Sequence, residues 1–245
     1  METVFLQDLG RVAYNVAWDY QESLLKANLD AKAAWYNAPD LNRESASPDT
    51  VHHLLFCEHP HVYTIGKSGQ MENLLINNAR LQELNVSFFR TNRGGDITYH
   101  GPGQVVGYPI LDLERFYTDL GKYMRSLEEV IIRTLATYGI AAGRLPGSTG
   151  VWLDADIPGK ARKICAMGVR CSRWVTMHGF ALNVNSDLNY FNYIVPCGIT
   201  DKSVTSMQKE LGTTINEQEV KDRIIIEFGN VFGAEVVTTT ETLTV

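Results

Sequence analysis

The stretch RGGDITYHGPGQVVGYPILDL, residues Arg93 to Leu113, combines the residues of tight turns with those of β-strands. It has five glycines and two prolines among Ile, Val and Tyr side chains. Glycine allows backbone to approach a ligand closely and permits positive φ, whereas β-branched and aromatic residues favour strands. We therefore predict strands on both sides of Gly101-Pro102-Gly103. The glycine turns would either present N–H groups to an anion, a carbonyl or an extended chain, or simply be tight turns of an antiparallel sheet.

The composition is that of an ordinary soluble globular protein. The chain has 245 residues, of which 44% are hydrophobic and 20% charged, enough for a single domain over residues 1–245. A net charge of −6 argues against nucleic-acid binding, and no apolar run approaches the ~18 residues of a membrane span. The N-terminus lacks a signal-peptide pattern, and four cysteines form no C-x-x-C pair. These features favour reduced thiols in a cytoplasm.

Apolar spacings of three and four residues predict three helices. They cover about residues 12–36, 119–138 and 216–232. The buried face of the first helix would be formed by Ala13, Ala17, Tyr20, Leu24, Ala27 and Ala31, and that of the second by Met124, Leu127, Ile131, Leu135 and Tyr138.

Runs of β-formers predict the strands. They lie at 52–59, 61–67 and 86–91, on both sides of the glycine turn, in the runs TGVWLD, RKICAMGVR and WVTMHGFALNVN, and after residue 233. Because short turns join neighbouring strands, we expect mixed, largely antiparallel sheets flanked by helices, which is an α+β fold.

Four blocks of this sequence resemble the lipoyl(octanoyl) transferases, or LipB family. They are RGGDITYHGPGQVVGYPILDL, RKICAMGVR, HGFALNVN and VPCGITDKSVTSM, in the family's order and spacing, over roughly residues 54–212. The resemblance implies the fold of biotin and lipoate protein ligases. It implies an acyltransferase of lipoate biosynthesis that moves an octanoyl group from octanoyl-acyl carrier protein to a lysine. The acceptors would be lipoyl domains of 2-oxoacid dehydrogenases and the glycine cleavage H protein, with no cofactor and no metal.

The resemblance also implies the site residues. The nucleophile that carries the acyl thioester matches Cys197, and the family's lysine matches Lys163. The residues that would surround the acyl chain are Arg93, Gly94, Gly95, Asp96, Ile97, Thr98, Tyr99, His100, Ala166, Met167, Gly168, Gly179, Phe180 and Ala181. A nearby ammonium favours the nucleophilic thiolate, so Lys163 suits activation of Cys197 and proton transfer.

Other cysteines and histidines leave alternatives open. Cys165 is two residues from Lys163, on the same strand face by the period of two, and is either a small hydrophobe or a second reactive thiol. His100 and His178 are candidates for hydrogen bonding near the thiol, and His59-Pro60-His61 for a turn at the rim of the pocket. No Cys/His spacing fits a zinc site.

A local excess of basic residues lies within 159–175, where Lys160, Arg162, Lys163, Arg170 and Arg173 occur without an acidic residue. This segment is either a solvated hairpin or a docking surface for an acidic carrier protein.

Three competing hypotheses are also compatible with this sequence. The same fold serves ATP-dependent lipoate ligases, which need an adenylate site and no essential cysteine. A silent acyl- or carrier-binding protein would keep the pocket without needing Cys197 and Lys163. An amidotransferase would take octanoyl from one lipoyl domain to another.

Overall fold

A computed structural model describes residues 1–38, 47–195 and 203–239. The predicted nucleophile Cys197 and the end of the predicted C-terminal strand lie outside these residues. The strands are β1 (Glu2–Arg11), β2 (His52–Glu58), β3 (Val62–Ile65), β4 (Ser87–Arg90), β5 (Ile97–His100), β6 (Gln104–Ile110), β7 (Gly143–Leu145), β8 (Ser148–Leu153), β9 (Arg162–Ser172), β10 (Val175–Asn183), β11 (Ser203–Val204) and β12 (Ala234–Thr238). The α-helices are α1 (Tyr14–Asn37), α2 (Asn78–Glu83), α3 (Leu120–Ala136), α4 (Met207–Leu211) and α5 (Glu217–Phe232).

The described residues form two sheets, and both mix parallel with antiparallel pairs. The larger has the order β12-β1-β2-β6-β10-β9-β8-β7, with β11 parallel to β9, and the smaller has the order β4-β3-β5. Strand β1 runs parallel to both of its neighbours, whereas β2-β6-β10-β9-β8 is antiparallel throughout. The predicted α+β fold with mixed, largely antiparallel sheets flanked by helices is confirmed.

The stretch from Arg93 to Leu113 connects the two sheets. Its first strand, β5, belongs to the small sheet, and β6 belongs to the centre of the large sheet. Gly103, at φ 83°, lies in the turn between them. An added Cβ would lie 2.5 Å from the Asn185 carbonyl carbon, so only glycine allows the chain to cross here.

Helices cover both faces of the large sheet. Alternate residues of β2 face opposite sides: Leu54 and Phe56 pack with α3 and α5, whereas Leu55 and Cys57 pack with α1. The predicted buried face of α3 is confirmed at its centre, where Leu127, Ile131 and Leu135 are fully buried. Burial of each such side chain stabilises the fold by roughly 2 kcal/mol. Within the described residues, no helix is both long and apolar enough to cross a membrane.

The predicted buried face of α1 is right at Ala17 but elsewhere lies one residue away from the fully buried positions. Its buried residues are Tyr14, Ala17, Gln21, Leu25, Asn28 and Lys32, while Ala13 and Ala27 are exposed. Three of the buried side chains are polar, so a hydrophobic pattern could not reveal the face. Each has a partner that compensates its burial: Gln21 accepts from the His178 N–H, Asn28 pairs with the Val51 backbone, and Lys32 pairs with Asp112.

Strand β1 was not predicted from the sequence. Val4 and Leu6 face the core two residues apart, which is the alternation of a half-buried strand. The strand lies between β2 and the C-terminal β12, so the two ends of the described chain meet in the sheet.

Candidate active site

The Arg93–Asp96 loop, between β4 and β5, packs against two other glycine segments. The Gly94 N–H donates to the Val169 carbonyl at 2.8 Å. A Cβ on Gly168 would lie 2.8 Å from the Gly94 carbonyl oxygen, and a Cβ on Gly66 would lie 2.2 Å from that of Gly95. Three backbone segments therefore approach more closely than side chains would permit, which explains the glycines of the opening stretch.

The Arg93 side chain holds this loop from within the protein. It is 7% exposed, and its terminal nitrogens donate to the Thr64 carbonyl at 2.7 Å and to the Gly94 carbonyl at 2.9 Å. Asp96 fixes the other end of the loop, because its carboxylate accepts from the Ile97 N–H at 2.7 Å and from the Asn73 amide at 2.6 Å. These contacts make the loop a rigid wall.

A cleft with about 780 Å³ of empty space, including its open mouth, lies between this wall and the large sheet. Among the residues predicted to surround the acyl chain, twelve line it. They are Arg93, Gly95, Asp96, Ile97, Thr98, His100, Ala166, Met167, Gly168, Gly179, Phe180 and Ala181. The structure thus brings together three blocks that lie far apart in the sequence.

Phe180 forms one apolar side of the cleft because of a glycine beneath it. It pairs with Gly107 across β10 and β6, and a Cβ on Gly107 would lie 2.2 Å from the Phe180 ring. The ring therefore lies flat against the sheet at a site where no other residue fits.

Two residues of the predicted set do not line the cleft. Gly94 packs against β9, as described above. The Tyr99 side chain is buried in a separate core with Tyr63 and Phe191, and its hydroxyl bonds His61 Nδ1 at 2.7 Å. Tyr99 therefore packs within the core of the small sheet and does not line the cleft.

The predicted lysine, Lys163, lines the same cleft on β9. Its ammonium lies 4.6 Å from the centroid of the Trp152 ring on β8. Gly150, at φ 109°, lies against β9 beside the lysine stem, where a Cβ would come within 2.6 Å of the Cys165 carbonyl oxygen. The buried Glu128 carboxylate accepts from the Gly150 N–H at 3.0 Å and so holds this turn in place.

Comparison with known proteins decides the family. A family model described as the lipoyl protein ligase A/B catalytic domain matches residues 13–229. An octanoyltransferase of Cytophaga hutchinsonii is 54% identical over 98% of this chain and 97% of its own. One of Flavobacterium johnsoniae is 57% identical over 95% of this chain and 97% of its own.

The chain belongs to the lipoyl protein ligase A/B family, among its octanoyltransferases. The predicted family is thus confirmed, and the protein is an acyltransferase. A bipartite lipoate protein ligase of Thermoplasma acidophilum shares the fold at a TM-score of 0.67 and 17% identity, over 98% of this chain and 88% of its own. A crystal structure of lipoate-protein ligase A bound with ATP shares the fold at a TM-score of 0.65 and 17% identity, over 98% of this chain and 90% of its own.

The cleft of this octanoyltransferase has seven further lining residues outside the set predicted to surround the acyl chain. They are Tyr14, Gln104, Tyr108, His178, Asn183, Phe191 and Val204, of which only His178 was noted as a candidate. Gln104 and Asn183 lie within the quoted blocks and form a buried network. Gln104 accepts from His100 Nδ1 at 3.3 Å and donates to Asn183 at 2.9 Å, and Asn183 donates to the Thr205 carbonyl at 3.0 Å.

The electrostatics of the cleft keep its histidines neutral. Burial lowers the pKa of His100 well below its ordinary value, and the nearby charge of Arg93 lowers it further. Burial lowers the pKa of His178 to about 3, with contributions from Arg93 and Arg170. Within the described residues, no group of three His, Cys, Asp or Glu side chains could hold a metal ion.

Cys165 does not share the cleft with Lys163. The pairing of β8 with β9 shifts between Val151 and Trp152, so the alternation expected along β9 is broken there. Cys165 is fully buried in the core beside Ile164, and burial raises the pKa of its thiol. The structure therefore favours the interpretation as a small hydrophobe.

The sequence predicts a turn at the rim of the pocket that contains His59. The structure instead places His59 away from the cleft. It is fully buried, with Nδ1 bonded to the Val12 carbonyl and Nε2 to the Tyr108 hydroxyl, both at 2.8 Å. The turn that carries it supports the sheet from behind the cleft.

The structure neutralises part of the basic segment. Arg162 pairs with Glu210 and Asp154, and Arg170 pairs with Glu22 at 2.7 Å. Lys160 and Arg173 make no ion pair with the described residues. Glu22 and Glu210 are distant in the sequence and Asp154 lies just before the segment, so the segment by itself contains only basic residues.

Proposed function

We propose that this octanoyltransferase carries the octanoyl group on Cys197 and that Lys163 serves this thiol. The observation that supports the proposal is the cleft itself, in which three sequence blocks form an apolar wall beside one lysine. Ile97, Met167 and Phe180 suit an extended hydrocarbon chain, and an acyl group buried there would lose contact with water.

Support for Cys197 comes from the sequence block VPCGITDKSVTSM and from its neighbours along the chain. Residues 196–202 connect Val195 with β11, and β11 pairs with Arg162 and Lys163 of β9. The Thr205 N–H also donates to the Lys163 carbonyl at 2.9 Å. The residues that follow Cys197 within this block are thus joined directly to the strand that carries the lysine.

The proposed reaction has two transfers. The Cys197 thiolate attacks the carbonyl carbon of the donor thioester, and the bond from that carbon to the donor sulfur breaks. The expelled thiolate takes a proton, which Lys163 delivers. An acceptor lysine, as the neutral amine, then attacks the Cys197 thioester and releases the thiolate, while Lys163 receives the proton that the amine loses.

The energy for amide formation comes from the thioester. Exchange of one thioester for another is nearly neutral, and conversion of a thioester to an amide is downhill, so the reaction consumes no ATP. We propose octanoyl-acyl carrier protein as the donor and lipoyl domains, including those of 2-oxoacid dehydrogenases and the glycine cleavage H protein, as the acceptors.

The test is a transfer assay with purified octanoyl-acyl carrier protein and an unmodified lipoyl domain, followed by the intact mass of that domain. We expect a gain of one octanoyl group without ATP, and loss of the gain with Lys163→Met. Modification that requires ATP and free octanoate would contradict the proposal and favour a ligase. Transfer only from an octanoylated lipoyl domain would favour an amidotransferase.

A further inference from the structure

The Lys163 side chain lies against β8 at two points. Its ammonium is 4.6 Å from the centroid of the Trp152 ring. Its Cε is 3.5 Å from the position that a Cβ on Gly150 would take, so the aliphatic part of the side chain passes close to the Gly150 backbone. Residues 150–152 of β8 therefore form a surface on which the proposed proton carrier lies.

The pairing of β8 is irregular at this surface. The register with β9 shifts between Val151 and Trp152. Gly150 lies between Ser148 and Trp152, where the register with β7 shifts as well. A bulge disrupts the ladder locally, so the hydrogen bonds of the sheet do not fix Gly150 as they would in a regular strand.

Glu128, on α3, holds Gly150 instead. Its Oε1 accepts from the Gly150 N–H at 3.0 Å, and its Oε2 accepts from Arg125 at 2.7 Å and from Arg144 at 3.1 Å. Glu128 is fully buried, whereas the side chains of Arg125 and Arg144 are 48% and 35% exposed. The two oxygens therefore have separate roles: Oε1 binds the backbone beside Lys163, and Oε2 pairs the buried charge with two cations.

We propose that Glu128 is a positioning residue for octanoyl transfer. By holding the Gly150 backbone, it fixes the surface against which Lys163 lies and so the place of the ammonium. Glu128 is not among the described residues that line the cleft, so it acts through Gly150 and not on the substrate. Proton transfer requires hydrogen-bond distance, and a small displacement of the group that carries the proton slows it strongly. The inference rests on the role proposed above for Lys163.

Two conservative variants separate the roles of the two oxygens. Glu128→Gln loses the ion pairs but keeps an oxygen for Gly150, because the partly exposed arginines can turn to water and the buried Gly150 N–H cannot. Glu128→Asp keeps the charge, which the long arginine side chains can follow, but is one methylene too short for the Gly150 N–H.

Steady-state transfer from purified octanoyl-acyl carrier protein to an unmodified lipoyl domain gives kcat and the KM for the donor. We expect kcat to fall about tenfold in Glu128→Asp and to stay within about twofold of the wild type in Glu128→Gln. The KM should be unchanged in both variants, because the cleft itself is intact.

Glu129→Gln is the matched control. Glu129 is the next residue of α3 and also binds Arg144, at 2.8 Å, but its other partner is Arg133 and not Gly150. Its kcat and KM should equal those of the wild type. Urea unfolding of every variant separates positioning from stability. A role through the ion pairs alone would lower both the unfolding midpoint and kcat more in Glu128→Gln than in Glu128→Asp, which is the reverse of the order expected for kcat.

A wild-type kcat in Glu128→Asp overturns the proposal, as does a lower kcat in Glu128→Gln than in Glu128→Asp. If Glu128→Asp does not fold, a kcat of Glu128→Gln more than about threefold below that of the wild type overturns it, and a smaller change supports it. Lys163→Met separates this inference from the function on which it rests. If Lys163→Met loses transfer and Glu128→Asp is normal, only this inference fails. If Lys163→Met transfers at the wild-type rate, the proposed role of Lys163 fails as well.

Discussion

The Lys163 ammonium lies 4.6 Å from the centroid of the Trp152 ring, on the neighbouring strand. Trp152 is 2% exposed, so its ring is a fixed surface against which the flexible Lys163 side chain lies. An aromatic face attracts a cation by roughly 0.5–2 kcal/mol, depending on solvation. Trp152 thus restricts where the proposed proton carrier can be.

Replacement of Trp152 should therefore slow transfer through the position of Lys163. We expect Trp152→Leu to lower the octanoyl transfer rate about tenfold and Trp152→Phe to retain most of it, since phenylalanine keeps an aromatic face. Trp35→Leu, on α1 away from the cleft, is the control. Equal rates for the Leu and Phe variants of Trp152 would show that the aromatic face has no such role.

Gly107 is predicted to be essential for the shape of the cleft. A Cβ there would lie 2.2 Å from the Phe180 ring, so Gly107→Ala must displace that ring from the cleft wall. We expect the free energy of unfolding in urea to fall by about 1–3 kcal/mol and acyl binding to weaken. Gly143→Ala meets no atom within 4 Å and should change neither quantity. A stable Gly107→Ala with normal binding would contradict this prediction.

Stability should depend on pH through the buried histidines. The pKa of His178 is lowered to about 3 and that of His59 to about 4, from an ordinary value of 6.5, mainly by burial. As pH falls below 6.5, the unfolded chain takes up protons that the folded protein does not. The free energy of unfolding is therefore highest above pH 6.5 and falls below it, by about 1.4 kcal/mol per pH unit for each such histidine.

The variant His178→Asn removes one of these titratable side chains. Its backbone can keep the conformation of His178, at φ 59°, since asparagine tolerates positive φ. Urea unfolding between about pH 6 and pH 5, where carboxylates scarcely titrate, should show a slope smaller by about 1 kcal/mol per pH unit than in the wild type. A slope identical to that of the wild type would show that His178 is not buried and neutral in the folded protein.

Lys160 and Arg173, which make no ion pair with the described residues, allow a test of carrier docking. If an acidic carrier protein docks on this hairpin, Lys160→Glu with Arg173→Glu should lower the transfer rate at low salt and flatten its salt dependence. Arg162→Glu is a poor test, because it would place a third carboxylate beside Glu210 and Asp154. An unchanged salt dependence in the double variant would exclude docking through these two residues.

The sequence allowed prediction of the fold class and of most strands and helices, because hydrophobic periodicity and turn residues are local signals. It did not reveal the buried face of α1, since that face depends on Gln21, Asn28 and Lys32 finding partners on other elements. Strand β1 was missed because its pairing partners are distant in the sequence.

The candidate site was also predicted only in part. Its residues were predicted by resemblance to a family, and twelve of the fourteen residues predicted to surround the acyl chain line one cleft. The positions of Tyr99 and Cys165 were not predictable, because one depends on which side of the small sheet faces the cleft and the other on a bulge. The roles of Trp152 and Glu128 depend on tertiary contacts alone.

Intact mass spectrometry of the protein after incubation with octanoyl-acyl carrier protein tests the central claim most directly. The wild type and Cys165→Ser should each gain one octanoyl group that hydroxylamine removes, and Cys197→Ser should gain no such labile group. The opposite pattern, with the labile adduct present in Cys197→Ser and absent in Cys165→Ser, would contradict the assignment of Cys197 as the acyl carrier.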